Sequence, residues 1–156
     1  MNNAMAMVRA PGEGPTLSVV GETIRVLADS AMTGGACAMI EETGPFGAGP
    51  PLHRHTREDE HFYVLEGQYK FTVNGQESMV SAGGYAFAPR GSVHTFVNAT
   101  PPPGRARLLV VCTPGGLESA FRECDELARR GPVSMDAIVA AFGKIGVEFL
   151  GPPLAV

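Results

Sequence analysis

Two stretches decide the fold of this chain: GAGPPLHRHTREDEHFYVLEG at residues 47–67 and GGYAFAPRGSVHTFVN at residues 83–98. All four histidines of the chain fall within them, and three of these, together with one glutamate, have the spacing of a metal site: His53, His55, His94 and Glu60. Imidazole nitrogens and carboxylate oxygens are donors that divalent transition metals accept. The two stretches therefore predict a metal site whose residues come from distant parts of the chain.

Side-chain alternation along a β-strand explains how these residues meet. His53 and His55 are two positions apart, so their side chains point to the same face. Glu60 lies an odd number of positions after His55, so a turn at residues 56–59 must restore its direction. His94 must come from a neighbouring strand. We expect three nitrogens and one oxygen to surround one point inside an apolar barrel.

Several other residues leave alternatives open. Glu58 has the same parity as Glu60 and competes with it for the fourth ligand position. His61, the fourth histidine, is expected to face outward at a sheet or subunit contact, and Asn98 is expected to close a turn. Candidates for the pocket are Met39, Phe71, Phe87 and Phe96 for its wall and Tyr69 and Tyr85 for proton transfer.

The donor set does not identify the metal. Three imidazoles and a carboxylate accept Fe, Ni, Cu, Co, Mn or Zn, so we expect one divalent transition metal ion of open identity. On an octahedral ion, four protein ligands leave two positions for a substrate oxygen and a second small molecule. On tetrahedral zinc the same ligands would close the shell, so a reactive zinc would have to expand to five-coordinate or lose a ligand. A chain of 156 residues buries roughly two-thirds of its unfolded surface and needs no metal to fold, so the ion is expected to be functional.

Short strands separated by turns fill most of the chain. From residue 16 to about residue 113, β-branched and aromatic runs alternate with Gly and Pro clusters, a pattern typical of an all-β sandwich or barrel. Asn74-Gly75 is the clearest hairpin turn. The expected strands are Leu17–Val20, Thr23–Leu27, Ala36–Glu41, Glu60–Leu65, Tyr69–Val73, Gln76–Val80, Tyr85–Ala88, His94–Val97 and Arg107–Cys112.

After residue 116 the spacing of apolar residues changes to three or four, which predicts helices. The first helix begins near Leu117 and is stopped by the Gly-Pro pair at 131–132. Ser134 is the expected N-cap of a second helix that ends near Gly143 or Gly146. Both helices are expected to cover an end or a face of the barrel. We therefore expect a single domain over residues 1–156, with the barrel at about 16–113 and a C-terminal helical extension at about 117–146.

Composition excludes several partner classes. The net charge is −4 and the basic residues are scattered, which argues against nucleic acid as a partner. The N-terminal residues lack the apolar core of a signal peptide and no run of eighteen apolar residues occurs, so we expect a cytoplasmic protein with no membrane partner. The three cysteines are widely spaced, so each is expected to be a small buried hydrophobe: Cys37, Cys112 and Cys124.

The pattern as a whole resembles the two conserved motifs of the cupin superfamily, with no position missing: Gly47, His53, His55, Glu60, Gly67, Gly83, Pro89, Gly91, His94 and Asn98. The fifteen-residue gap between the motifs is similar to that of compact bacterial cupins described as quercetin-dioxygenase-like. The segments PRGSVHTF and VEFLGPP strengthen the resemblance. It implies an antiparallel jelly-roll β-barrel, a homodimer, and four metal ligands, namely His53, His55, Glu60 and His94.

The resemblance specifies a fold and a metal better than a reaction, because cupins carry many activities. We expect a small-molecule substrate and favour a metal-dependent oxygenase that acts on a hydroxylated aromatic or polyketide-like compound. Glu60 would serve as a ligand or as the catalytic base. Two alternatives stay open. One is a non-redox cyclase, isomerase or lyase that uses the ion as a Lewis acid, and the other is a non-catalytic metal- or ligand-binding module.

Overall fold

Two antiparallel β-sheets make up most of the molecule. The structure, a computed structural model, describes residues 4–156. Within this range the strands are β1 (Thr16–Val19), β2 (Glu22–Ala28), β3 (Ala38–Thr43), β4 (Pro51–His55), β5 (Asp59–Glu66), β6 (Gln68–Val73), β7 (Gln76–Ser81), β8 (Tyr85–Ala88), β9 (His94–Asn98), β10 (Arg107–Thr113) and β11 (Val147–Pro153). The helices are α1 (Ser30–Thr33), α2 (Leu117–Arg130) and α3 (Met135–Gly143).

The strand order is that of two facing sheets. The larger sheet runs β1-β2-β3-β10-β5-β8 and the smaller runs β11-β4-β9-β6-β7. The antiparallel pairing and this order are consistent with the expected jelly roll. The expectation of a closed barrel is corrected, because no strand pair within residues 4–156 joins the two sheets. The sheets end in the edge strands β1, β8, β11 and β7, and side-chain packing rather than backbone hydrogen bonding holds them together.

The core lies between the inner faces of the sheets. Along β10 the side chains alternate, so that Leu108 and Cys112 are buried on the inner face. Phe62 from the larger sheet contacts Phe71 and Phe96 from the smaller sheet, with ring centroids 5.4 Å and 5.5 Å away. Burying one such side chain contributes roughly 1.5–3 kcal/mol. These rings fill the middle of the space between the two sheets. Buried polar side chains lie to either side of them.

One strand and one helix lie outside the expected elements, namely β11 and α1, whereas β4 is the strand expected at His53 and His55. β11 pairs with β4, which places Val147 opposite His55 and Phe149 opposite His53. The end of β11 is Gly-Pro-Pro, a turn-like composition that a sheet tolerates only at an edge. α1 is a single turn capped by Asp29. These elements depend on neighbours distant in sequence or are too short to show a period.

The two C-terminal helices confirm the prediction. Ser134 accepts a hydrogen bond from the backbone N–H three residues on, at 3.2 Å, as expected of an N-cap. Two buried carboxylates attach α2 to the N-terminal segment: Asp125 accepts from the N–H of Ser18 and Glu118 from that of Ser30, both at 2.8 Å. No helix in the described part of the chain has the length and hydropathy needed to span a bilayer.

The turn between β1 and β2 is strained. Val20 and Gly21 have φ angles of 49° and 82°. Positive φ is costly for a β-branched residue, whereas Asn-Gly is the preferred pair in turns with two positive φ angles. Val20→Asn is therefore expected to raise the free energy of unfolding by about 1 kcal/mol. Urea unfolding at fixed pH measures this change.

A second exposed valine gives the control for this prediction. Val8 is 95% exposed and its φ is not positive, so Val8→Asn should leave the unfolding midpoint unchanged. An unchanged midpoint for Val20→Asn as well would show that the turn stores no strain that asparagine can relieve.

Candidate metal centre and its cavity

The four predicted ligands come together in the folded chain. One ligand-type atom from each of His53, His55, Glu60 and His94 lies within 4.8 Å of the others, and all four residues are buried. Oε2 of Glu60 is 2.6 Å from Nε2 of His94, 3.1 Å from Nε2 of His55 and 3.9 Å from Nε2 of His53. The spacing in the sequence thus predicted the grouping correctly.

Both sheets contribute to the cluster. His53 on β4 stands directly opposite His94 on β9 in the smaller sheet. Glu60 reaches the same point from β5 in the larger sheet, where its neighbours are Cys112 on β10 and Ala88 on β8. The predicted turn after His55 is present, since β4 ends there and β5 begins at residue 59. The cluster therefore spans the space between the sheets.

The outer ring nitrogen of each histidine has an acceptor. Nδ1 of His53 donates to the carbonyl of Pro51 at 2.7 Å, and Nδ1 of His94 donates to the carbonyl of Ser92 at 3.1 Å. A carbonyl only accepts, so these Nδ1 atoms are the donors, and the Nε2 atoms of both rings face the cluster. The third outer nitrogen, that of His55, contacts the carboxylate of Glu58. This arrangement fixes the ring orientation as metal-binding histidines require.

Glu58 and Glu60 occupy different positions relative to the cluster. Oε2 of Glu58 lies 3.1 Å from Nδ1 of His55, on the side of the ring that faces away from the cluster. Glu58 is 3% exposed, so its carboxylate is committed to this contact rather than to water. Of the two glutamates with the same parity, Glu60 lies in the cluster and Glu58 behind it.

Cys112 makes a further contact with the cluster that its place in the sequence does not predict. It is buried, as expected, and its thiol donates to Oε1 of Glu60 at 3.4 Å. Burial and the nearby carboxylates, first that of Glu60, raise the pKa of this thiol well above its usual range, so it stays protonated. The contact occupies one carboxylate oxygen and leaves the other facing the histidines. Cys37 is only partly buried and Cys124 is buried.

The electrostatics of the cluster favour an ionised carboxylate at Glu60 and a neutral ring at His53. Burial opposes ionisation of Glu60, but the three imidazoles, first His55, outweigh it and lower the pKa of Glu60 below its usual value. Burial, reinforced by His94, lowers the pKa of His53 to about 4. Burial also acts to lower the pKa of His55, but Glu60 and Glu58 reverse this and raise it.

The donor set fits a divalent transition ion. Nε2 of His94 and Oε2 of Glu60 lie at hydrogen-bond distance, 2.6 Å apart, and a bound metal ion would replace the proton that this contact shares. Two more Nε2 atoms face the same point. Three borderline nitrogens and one oxygen are ligands of the kind that Fe, Ni, Cu, Co, Mn and Zn accept, and the geometry does not choose among them.

A cavity of about 290 Å³ opens onto the cluster. His53, His55 and Glu60 form part of its wall, while most of the remaining wall is apolar. Much of that wall comes from beyond the two histidine motifs, from α2, α3 and β11: Leu117, Phe121, Met135, Ile138, Phe142, Val147 and Phe149. The volume is at the small end of the range for ligand pockets, roughly 300–1,000 Å³.

Of the pocket residues expected from the sequence, some line the cavity and others lie elsewhere. Phe96 lines the cavity, whereas Phe71 is buried in the core. Phe87 was expected inside but is 42% exposed, and its ring stacks on His61 with centroids 4.7 Å apart. Outward placement of His61 agrees with the expectation. Tyr85 also faces outward and contacts Nδ1 of His61 at 2.7 Å, so it is remote from the cluster.

Asn98 closes a turn, as expected. Its side-chain amide donates to the carbonyls of Gly44 and Pro45 at 2.9 Å and 3.1 Å. These bonds hold the loop that runs to β4 and forms one rim of the cavity. Gly49 in this loop passes so close to β9 that a Cβ atom would lie 2.0 Å from the carbonyl oxygen of Phe96. Asn98 therefore positions the loop and is not a ligand.

Comparison with known proteins identifies the family. The cupin domain family matches residues 40–112, which include all four residues of the cluster. Quercetin 2,3-dioxygenase of Bacillus subtilis strain 168 is 29% identical over 121 residues. Residues 40–112 of this chain form a domain of the cupin superfamily. The buried His/Glu cluster of this cupin is of the type that cupin metal sites use.

The relatives of this cupin differ in activity and in length. The match to quercetin 2,3-dioxygenase covers 78% of this chain and 35% of that protein. An oxalate-binding protein of Thermotoga maritima is 31% identical over 77 residues, covering 49% of this chain and 64% of that protein. The cupin thus spans about a third of the first relative and just under two-thirds of the second. The homodimer, the cytoplasmic location and the single domain stay predictions.

A solved structure extends the comparison. The polyketide cyclase RemF from Streptomyces resistomycificus is 25% identical, with a TM-score of 0.60. The superposition covers 70% of this cupin and 80% of RemF. An oxygenase, a cyclase and a binding protein are therefore all among the similar proteins, so the fold alone does not choose the reaction.

Proposed function

We propose that this cupin is a metal-dependent oxygenase that acts on a small hydroxylated aromatic or polyketide-like substrate. The observation that carries the proposal is the position of the His/Glu cluster in the wall of an apolar cavity. A structural metal site would be closed off by protein, whereas this one can be reached by a ligand. A substrate that fills the apolar cavity would displace water from it, which would strengthen the electrostatic interactions inside.

The ligands in this proposal are His53, His55, Glu60 and His94. With these four in place, a bound transition ion would supply Lewis acidity toward a substrate oxygen and, if redox-active, a path for electrons to dioxygen. The protein's own part is to fix the donors. The carbonyls of Pro51 and Ser92 and the carboxylate of Glu58 hold the outer ring nitrogens.

Glu60 is the proposed base. Its carboxylate is ionised because the neighbouring imidazoles outweigh the effect of burial on its pKa. It can bind the ion through Oε2, or it can turn away and accept the proton of a substrate hydroxyl. The thiol of Cys112 holds Oε1 and so favours the orientation in which Oε2 faces the cluster. Phe96 and the apolar wall would orient a flat ring beside it.

Similarity to a dioxygenase supports this choice of reaction. The match to quercetin 2,3-dioxygenase covers 78% of this chain, and the name of that enzyme denotes a hydroxylated aromatic substrate and dioxygen. The small volume of the cavity favours substrates of one or two rings, or a larger substrate that projects partly into solvent.

Oxygen uptake tests the proposal. The cupin is loaded separately with Fe, Mn, Co, Ni, Cu or Zn and offered quercetin and a panel of smaller phenols in an oxygen electrode. We expect at least one redox-active ion to support oxygen uptake that matches loss of the substrate, and zinc to support none. Turnover without oxygen uptake would contradict the oxygenase.

The second candidate is a non-redox cyclase, isomerase or lyase. The specific observation in its favour is the similarity to the polyketide cyclase RemF. In this case the zinc-loaded protein should turn over a polyketide-like substrate without air, because Lewis acidity alone suffices. Binding of substrates without any turnover, with or without air, would instead favour a non-catalytic metal- or ligand-binding module.

A further inference from the structure

A pair of glutamates lines the cavity away from the His/Glu cluster. Glu22 stands at the start of β2, directly after the strained turn, and Glu42 lies near the end of β3. Both belong to the wall of the cavity that contains His53 and Glu60. Glu42 is 7% exposed although it is an ionisable residue. The mechanism described above uses neither carboxyl group.

Sheet register separates this pair from the cluster. In the larger sheet, Glu42 on β3 and Val64 on β5 stand opposite Leu108 on β10. The cluster residue Glu60 on β5 stands opposite Cys112 on β10. Leu108 and Cys112 are four positions apart on the same face of β10, which corresponds to roughly 13 Å along the strand. The cavity therefore has two polar ends with apolar walls between them.

The carboxyl groups of this pair have no protein partner. Within residues 4–156, neither Glu22 nor Glu42 makes a side-chain hydrogen bond or an ion pair, although other buried acids such as Glu118 and Asp125 are fully engaged. Burial raises the pKa of Glu22 to about 7 and that of Glu42 well above its usual value, with Glu22 and Glu60 contributing to the latter.

An unpartnered buried acid is costly, and apolar residues of similar size would stabilise the fold more. Packing therefore does not explain Glu42. A glycine beside the pair leaves space for one of its carboxyl groups. At Gly44 a Cβ atom would lie only 3.1 Å from Oε1 of Glu22. The absence of a side chain at residue 44 leaves room for that carboxyl group beside the cavity.

We propose that Glu22 and Glu42 form a second binding subsite, which hydrogen-bonds a hydroxyl group of the substrate remote from the metal centre. A protonated carboxyl group both donates and accepts, and so matches a hydroxyl group, which does the same. This inference rests on the proposed function, because it assigns the other end of the substrate to the metal centre. The substrate class is then an aromatic compound with oxygen functions at both ends.

Binding of a matched pair of two-ring compounds tests the subsite. 3-Hydroxychromone offers a chelating enol and ketone at one end only, and 3,7-dihydroxychromone adds a hydroxyl group at the far end. Their dissociation constants are measured by calorimetry on the zinc-loaded cupin without air, so that no turnover occurs. We expect the wild type to bind the dihydroxy compound about tenfold more tightly, which corresponds to about 1.4 kcal/mol.

Variants locate the source of this preference. Glu42→Leu should abolish the preference while leaving the affinity for 3-hydroxychromone unchanged, and Glu42→Gln should keep part of it because an amide still donates and accepts. Glu42→Leu should stay folded, since it removes an unpartnered buried acid. Glu41→Gln is the control, because Glu41 is the adjacent residue on β3 and pairs with arginines instead of lining the cavity.

The outcomes separate the subsite from the function. If 3-hydroxychromone binds but the added hydroxyl group gives no gain in the wild type, or if Glu42→Leu keeps the gain, the subsite is wrong and the proposed function stands. If neither chromone binds the wild type, both are wrong for this substrate class. If a 7-aminomethyl compound binds far better than the dihydroxy compound and Glu42→Gln removes that gain, the subsite recognises a cation and the hydroxyl assignment is overturned.

Discussion

His94→Ala is expected to leave the cupin folded but without its metal ion. His94 supplies the nitrogen closest to Glu60, at 2.6 Å, and no other histidine within residues 4–156 can replace it, because His61 faces outward. Loss of a ligand should weaken binding by more than the roughly 100-fold that loss of an outer hydrogen bond causes. Elemental analysis of the protein after purification in metal-containing buffer measures the effect.

The fourth histidine provides the control for this variant. His61→Ala removes an imidazole from the surface and should retain full metal content. Far-ultraviolet circular dichroism should be alike for both variants, since the core between the sheets does not need the ion. Full metal content in His94→Ala would show that the ion, if present, binds elsewhere.

Glu58→Gln is expected to lower metal affinity by roughly 10- to 100-fold without changing the ligands. The carboxylate of Glu58 accepts a hydrogen bond from Nδ1 of His55, which makes Nε2 of that ring a better electron-pair donor to a metal ion. Glutamine has the same size but no charge, and burial prevents water from replacing it. Competition with a chelator of known affinity at fixed pH measures the dissociation constant of the metal.

An exposed glutamate shows whether the effect is local. Glu77 on β7 pairs loosely with Lys70 at 3.7 Å, and Glu77→Gln should leave metal affinity unchanged. Equal affinities in all three proteins would mean that Glu58 only fills space behind His55. A fall in affinity with an unaltered unfolding midpoint would show that its charge acts on the metal centre.

The ligand set could be predicted because it depends on local rules. Alternation on a strand brings His53 and His55 together whatever the rest of the chain does. A turn before Glu60 follows from polarity. By contrast, the acceptors of His53 and His94 are backbone carbonyls two residues before each ring, and a carbonyl leaves no trace in the residue type.

The pocket wall could not be predicted from residue type. Phe87 was expected inside because it is large and apolar, yet the inner face of β8 carries Ala86 and Ala88. Ala88 stands opposite Glu60, where a small side chain leaves space for the cluster. The ring of Phe87 is displaced to the outer face by this requirement. Which of two alternating residues faces inward is decided by the site and not by hydrophobicity.

The C-terminal elements also could be predicted only in part from the sequence. The helices were evident from their period and caps, but the strand β11 was not, because it exists only through pairing with β4. The Glu22 and Glu42 pair was missed for a similar reason. Nothing in the sequence near either residue differs from an ordinary surface glutamate, and only the folded sheet encloses them.

The cavity is assembled from two sources that can vary independently. Residues 40–112, which match the cupin domain family, hold the four ligands, whereas α2, α3, β11 and the β1-β2 turn lie outside that range and supply most of the apolar wall. Mutational drift in these flanking elements could therefore reshape what enters the cavity without disturbing the ion. Within this superfamily, the substrate can therefore change while the metal ligands stay the same. Sequence divergence between relatives should concentrate in the segments that flank residues 40–112.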